Sequence, residues 1–139
     1  YVCGSKALTD YVKTAARSVI YSTALPPATL AASIAALKVI GRDVALREKP
    51  LTHARYFTSL MGMEDAASAI VPVIVKDNDK ALKLSALLEE KGYMVAAIRP
   101  PTVPENTARL RFAFSALHEK KHIEAVAEIL KKEGVTCES

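Results

Sequence analysis

Tryptophan is absent from this 139-residue chain, and cysteine occurs twice, as Cys3 and Cys137 at opposite ends. Two remote cysteines provide no disulfide framework and no thiolate spacing for zinc. The three histidines, His53, His118 and His122, have no cysteine beside them, so a metal site is not expected and a reducing, cytoplasmic setting fits. Aromatic residues make up only 6% of the chain, and none is interleaved with a basic cluster. The net charge of +4 comes from lysines and arginines alternating with carboxylates, as in "HEKKHIEAVAEILKKEG". That pattern is a solvated surface and argues against a nucleic-acid partner.

A long hydrophobic span is also missing. The one extended uncharged run, "SVIYSTALPPATLAASIAAL", holds five Ser/Thr residues and is cut by Pro26-Pro27. The helical piece that follows, Ala28 to Ile40, is too short for the ~20 residues a bilayer requires. No membrane partner is expected. The opening "YVCG" has the look of a strand interrupted, so the chain is expected to be a piece of a longer protein.

What is present reads as helices first and strands later. "SKALTDYVKTAAR" has apolar residues at helical spacing behind a plausible Ser5 N-cap. "SVIYST" reads as a short extended run, and Pro26-Pro27 opens a helix that lasts to Gly41. "RDVALREKPLTHARYFTSLMGM" is helical with a kink at Pro50, or two shorter helices. After Gly62 the pattern changes. Residues 69–75 form a β-branched strand, Asn78 or Asp79 caps a helix closed by Gly92, "YMVAAIR" is a second strand, and "TARLRFAF" alternates as a third. A last helix runs from about Lys120 to Glu133. The fold class is therefore α+β: a helical first part, residues 1–62, then a small lobe, residues 63–139, with a three-stranded, mainly antiparallel sheet and helices packed on it.

Between the last two strands lies "IRPPTVPENTARLR". Pro100, Pro101 and Pro104 cannot sit inside a helix or central strand, and Arg99, Arg109 and Arg111 offer planar forks for carboxylates or phosphates. A stiff loop bearing such a fork is a candidate anion site. The alternative is a tight crossover between two strands.

This segment, together with "ARSVIYSTALPPATLAA", resembles the carboxy-terminal part of the α-oxoamine synthases, which are fold-type-I enzymes using pyridoxal phosphate (PLP). The likeness extends over essentially the whole chain. It is strongest, at "STALPP" and "IRPPTVP", to members that condense L-alanine with a pimeloyl thioester of coenzyme A or acyl carrier protein in biotin synthesis. The resemblance implies a homodimer, with residues 1–62 the tail of the large PLP-binding domain and the connecting helices. It implies that Arg99 and Thr102 contact substrate, and it places Arg111 either near the active-site mouth or in a structural ion pair. Arg109 is read as a surface or interdomain residue. Ser22 and Thr23 match a segment approaching the cofactor phosphate across the dimer interface, although they could simply cap the following helix.

No catalytic residue is expected here, because the family's Schiff-base lysine lies upstream and Lys6 does not match it. The chain alone is expected to be inactive and, through its alanine-rich helix, to self-associate. Asn106 stands where a glycine is usual, and asparagine tolerates the left-handed region that glycine would occupy. His118 is read as a capping or packing residue, and His53 and His122 as ordinary surface-helix residues. The reading from another class is a non-catalytic module that binds an acidic carrier protein.

Overall fold

The computed structural model describes residues 2–135, so Tyr1 and Cys137 lie outside the described residues. The chain divides into two compact units, Tyr1–Gly41 and Arg42–Ser139.

The first unit is helical. Ser5 caps α1 (Lys6–Ala15) as its spacing predicts, its hydroxyl accepting from the Leu8 N–H at 3.3 Å. Residues 2–4 form no strand. The "SVIYST" run is not extended either: Arg17–Ile20 closes a single helical turn, α2, and the Tyr21 and Ser22 amides donate back to Arg17 and Val19. Val19 and Ile20 favour strands, but a strand needs a partner ladder. Without one, local bonds satisfy the backbone. The helix α3 (Pro27–Arg42) begins at the second proline, as expected. Its Leu30, Ile34 and Leu37 form an exposed apolar stripe.

In the second unit, α4 (Val44–Met61) is one unbroken helix through Pro50. Pro50 forfeits the N–H that would bond to Leu46. The Asp43 carboxylate, which accepts from the Leu46 N–H at 2.8 Å, and the left-handed Gly62 at the other end hold the helix. Then follow β1 (Ile70–Lys76), α5 (Asn78–Glu90), β2 (Ala96–Ile98), β3 (Ala108–Ala113) and α6 (Lys120–Lys132). The N-cap of α5 is Asp77 rather than Asn78 or Asp79, its carboxylate accepting from the Lys80 N–H at 2.6 Å. The β2 strand is only three residues long. Upstream, the Tyr93 N–H is already spent on the Leu88 C=O, and downstream Pro100 has no N–H to offer.

The three strands form one antiparallel sheet in the order β1-β3-β2, which makes the lobe α+β. The register sets Val71 opposite Phe112 and Val73 opposite Leu110. These four side chains point to one face and are buried there with Ala54, Phe57, Leu84, Leu88, Ile123 and Leu130. Phe57 of α4 sits at the centre, its ring 4.7 Å from Phe112 and 5.4 Å from Phe114. The compact unit therefore opens at Arg42, well before the change of residue pattern at Gly62, because α4 supplies part of the core beneath the sheet.

Asn106 has φ of 59°, the left-handed conformation expected of it. Replacing it with valine is expected to cost about 1–2 kcal/mol, because a β-branched side chain is strained there. Urea denaturation followed by circular dichroism measures this loss, and a variant as stable as the parent would contradict it.

Candidate functional site

The proline loop is braced by its own backbone. Arg99 leaves β2 directly after Ile98, and the Thr102 N–H donates to the Arg99 C=O at 3.1 Å, closing a turn around the cis Pro100–Pro101 pair. At the loop's far end the Thr107 hydroxyl donates to the Pro104 C=O at 2.7 Å. Arg109 then donates from Nε to the Thr107 C=O at 3.0 Å, so its guanidinium is tied to the base of the loop. Arg99 and Thr102 are both exposed in the turn.

Arg111 lies on β3 opposite Ala96 of β2 and Pro72 of β1. It shares the sheet face of Arg109, away from the core side of Leu110 and Phe112, and is exposed. Among the described residues neither Arg99 nor Arg111 enters an ion pair. The structure thus brings Arg99 and Thr102 into one turn and sets Arg111 on the strand beside it. Two uncommitted guanidinium forks and a hydroxyl on a stiff frame can bind anionic oxygens bidentately.

Ser22 and Thr23 belong to the first unit, exposed between α2 and α3. The Ser22 hydroxyl donates to the Val19 C=O at 2.9 Å, while that of Thr23 has no partner among the described residues. Lys6 is the first residue of α1 and pairs with Asp10.

The histidines differ from their reading as surface residues. His53 is buried, only 7% exposed, and its Nδ1–H donates to the Ser115 C=O at 3.0 Å. Spacing held the clue, since His53, Phe57 and Met61 recur every four residues on one face of α4. His122 is half-buried. His118 does pack as expected, edge-on to Phe114 with centroids 6.1 Å apart, and its Nδ1 accepts from the Ser115 N–H at 3.2 Å. Burial holds its pKa below the ordinary histidine value, and the nearby His53 and His122 push it the same way. A half-open groove of about 780 Å³ runs beside this corner, lined among others by Phe57, Tyr93, Arg111, Phe114, His118 and His122.

No helix among the described residues is long and apolar enough to cross a membrane, and no group of three His, Cys, Asp or Glu residues there could hold a metal ion.

The chain belongs to the class I and II aminotransferase family, which it matches over residues 1–130. Within that family it is similar to 8-amino-7-oxononanoate synthases. The enzyme of that name from Methylobacterium sp. (strain 4-46) is 49% identical over 137 residues, covering 99% of this chain and 36% of the relative. The one from Maricaulis maris (strain MCS10) is 47% identical over 139 residues, covering 100% and 36%. The crystal structure of the Francisella tularensis 8-amino-7-oxononanoate synthase superposes with a TM-score of 0.79 at 28% identity, over 95% of this chain and 40% of that one. Serine palmitoyltransferase from S. paucimobilis, with a bound PLP–myriocin aldimine, superposes with a TM-score of 0.80 at 27% identity, over 90% and 33%. The chain thus spans about a third of the length of the curated relatives it matches, and the matched stretch is their carboxy-terminal part.

Proposed function

We propose that this chain is the carboxy-terminal part of a PLP-dependent 8-amino-7-oxononanoate synthase, acting in the cytoplasm as a homodimer in biotin synthesis. In this reading residues 1–62 are the tail of the large cofactor domain and the connecting helices, of which α4 packs beneath the sheet, and residues 63–139 form the small domain. The observation that carries the reading is the identity of nearly half across the whole chain to enzymes of that name. The fold alone does not choose the substrate, because serine palmitoyltransferase shares it equally well.

The reaction joins the α-carbon of L-alanine to the carbonyl carbon of a pimeloyl thioester. The thioester C–S bond breaks to release coenzyme A or the acyl carrier, and the alanine carboxylate leaves as CO2. PLP, when bound, supplies the electron sink for the carbanion this requires.

The residues present fit one edge of that cofactor. The Thr23 hydroxyl, without a partner among the described residues, and the backbone amides of residues 23–25 ahead of Pro26-Pro27 suit a phosphate. No lysine here stands at the family's Schiff-base position, and in this reading the ring is held by other residues of the full-length enzyme. The roles left to this chain are binding and orientation. Arg99 grips a substrate carboxylate with its fork, and Thr102 donates its hydroxyl to the same anion. Arg111 adds positive charge alongside. Because the turn is already closed by the Thr102–Arg99 bond, little ordering is needed when substrate arrives.

Thioester-dependent release of coenzyme A by the complete, upstream-extended enzyme tests this. Alanine with pimeloyl-CoA is expected to outpace glycine with acetyl-CoA, and the isolated 139-residue chain to release none. The reverse preference would transfer the chain to a sister synthase such as a glycine C-acetyltransferase.

A further inference from the structure

All three histidines of the chain gather where β3 turns into α6. The Phe114 N–H makes the last bond of the sheet, to the Ala69 C=O at 2.9 Å. Ser115 then leaves the sheet with its backbone meeting imidazoles from α4 and from the turn ahead of α6, and its C=O also accepts from the His118 N–H at 3.3 Å. Its C=O accepts from His53 of α4 at 3.0 Å, and its N–H donates to Nδ1 of His118 at 3.2 Å. The first bond needs a protonated Nδ1 on His53, which the neutral ring can supply. The second needs a bare Nδ1 on His118, which only a neutral ring with its proton on Nε2 can supply.

We infer that this corner is a proton-sensitive latch, in which neutral His118 accepts the Ser115 N–H in the turn just ahead of α6 and its protonation opens that bond beside the adjacent groove. A proton on Nδ1 of His118 would point at the Ser115 N–H, donor against donor, and the bond would be lost.

The charged and titratable groups around His118 reinforce the direction. His53 faces it from α4 and His122 from α6, and each opposes a further positive charge there. Arg111 of β3 and Glu89 of α5 share the groove with it. Glu119, its neighbour in the chain, is bonded to Lys121, which holds its carboxyl below the usual range, so it stays ionised and does not switch in the histidine range. The folded chain binds the His118 proton less readily than the unfolded chain does. The stability tied to the neutral His118 ring, set by its burial and by His53 and His122, is therefore full above the unfolded value of about 6.5 and is lost as the pH falls through the lower folded value. The inference rests on these contacts alone and is independent of the proposed activity.

An NMR titration of the 139-residue chain, from about pH 8 to about pH 5, reads it directly. The His118 ring is expected to titrate with a midpoint below about 6.5, and the Ser115 amide resonance to move with the same midpoint. In His118→Gln the side-chain carbonyl accepts the same N–H without titrating, so the acid-induced fall of the urea midpoint should shrink while the corner stays closed. A Ser115 amide that ignores the His118 midpoint overturns the latch, and so does a glutamine variant that keeps the full acid loss. Should that variant fail to fold, the titration of the parent chain decides.

Discussion

Arg99→Ala in the complete enzyme is expected to lower kcat/KM for the amino-acid substrate roughly ten- to a hundredfold. A hydrogen bond to a charged group contributes about 1.5–3 kcal/mol, and about 1.4 kcal/mol is a factor of ten. Nothing in the structure competes for this guanidinium, since Arg99 is exposed and enters no ion pair among the described residues. The substitution therefore removes binding without breaking a structural bond, and the loop should keep its shape. Its closing contact runs between backbone atoms, from the Thr102 N–H to the Arg99 C=O, which alanine preserves. Anchoring of the ground-state carboxylate predicts that the loss falls mainly on KM for alanine. Arg99→Lys should recover part of it, because lysine restores the charge without the planar fork. Steady-state kinetics against both substrates checks this. An unchanged KM for alanine would remove Arg99 from the substrate site.

The largest effect on stability is expected from Phe57→Ala. Phe57 is fully buried and touches both Phe112 and Phe114, so truncation removes aromatic contacts on two sides and leaves a cavity between helix and sheet. Such replacements cost about 3–5 kcal/mol. Domains of this size are stable by only about 5–15 kcal/mol. With m of about 1.5–2 kcal/mol/M, the urea midpoint should fall by roughly 1.5–3.3 M. Ile74→Ala makes the contrast: Ile74 lies on the opposite face of the sheet, 49% exposed, and its loss should cost under about 1 kcal/mol. Equal effects from the two substitutions would mean that the core does not lie beneath α4.

Period and punctuation made much of this fold legible in the sequence. The three strands, α3, α5 and α6 could be read from alternation, apolar spacing and flanking proline or glycine, while the left-handed Asn106 was implied by the family resemblance, which has glycine there. The failures and the open choices have physical causes. Pro50 leaves one kinked helix or two shorter ones open in the sequence, and the single helix is the outcome because caps at Asp43 and Gly62 and packing along one face absorb a single lost bond. Val19 and Ile20 look like strand residues, but strand propensity acts only where a partner strand is available. His53 looked like a surface residue because its partner, Ser115, is 62 residues away. Local pattern shows which face of a helix is apolar but not which distant backbone group that face will meet. The loop carrying Arg99 and Thr102 was recognisable because proline and arginine are distinctive residues. The Ser115 corner was not, because its chemistry resides in main-chain atoms that leave no compositional trace.

The position of Phe57 on α4 also defines what can be exchanged between relatives. A crossover joining the front of one homologue to the back of another keeps this core intact only if the junction lies ahead of Asp43, so that the cap, the helix and the sheet descend from one parent. A junction at Gly62, where the residue pattern changes most visibly, would set one parent's Phe57 against another parent's Phe112 and Phe114. The heritable piece is the sheet together with the helix that precedes it.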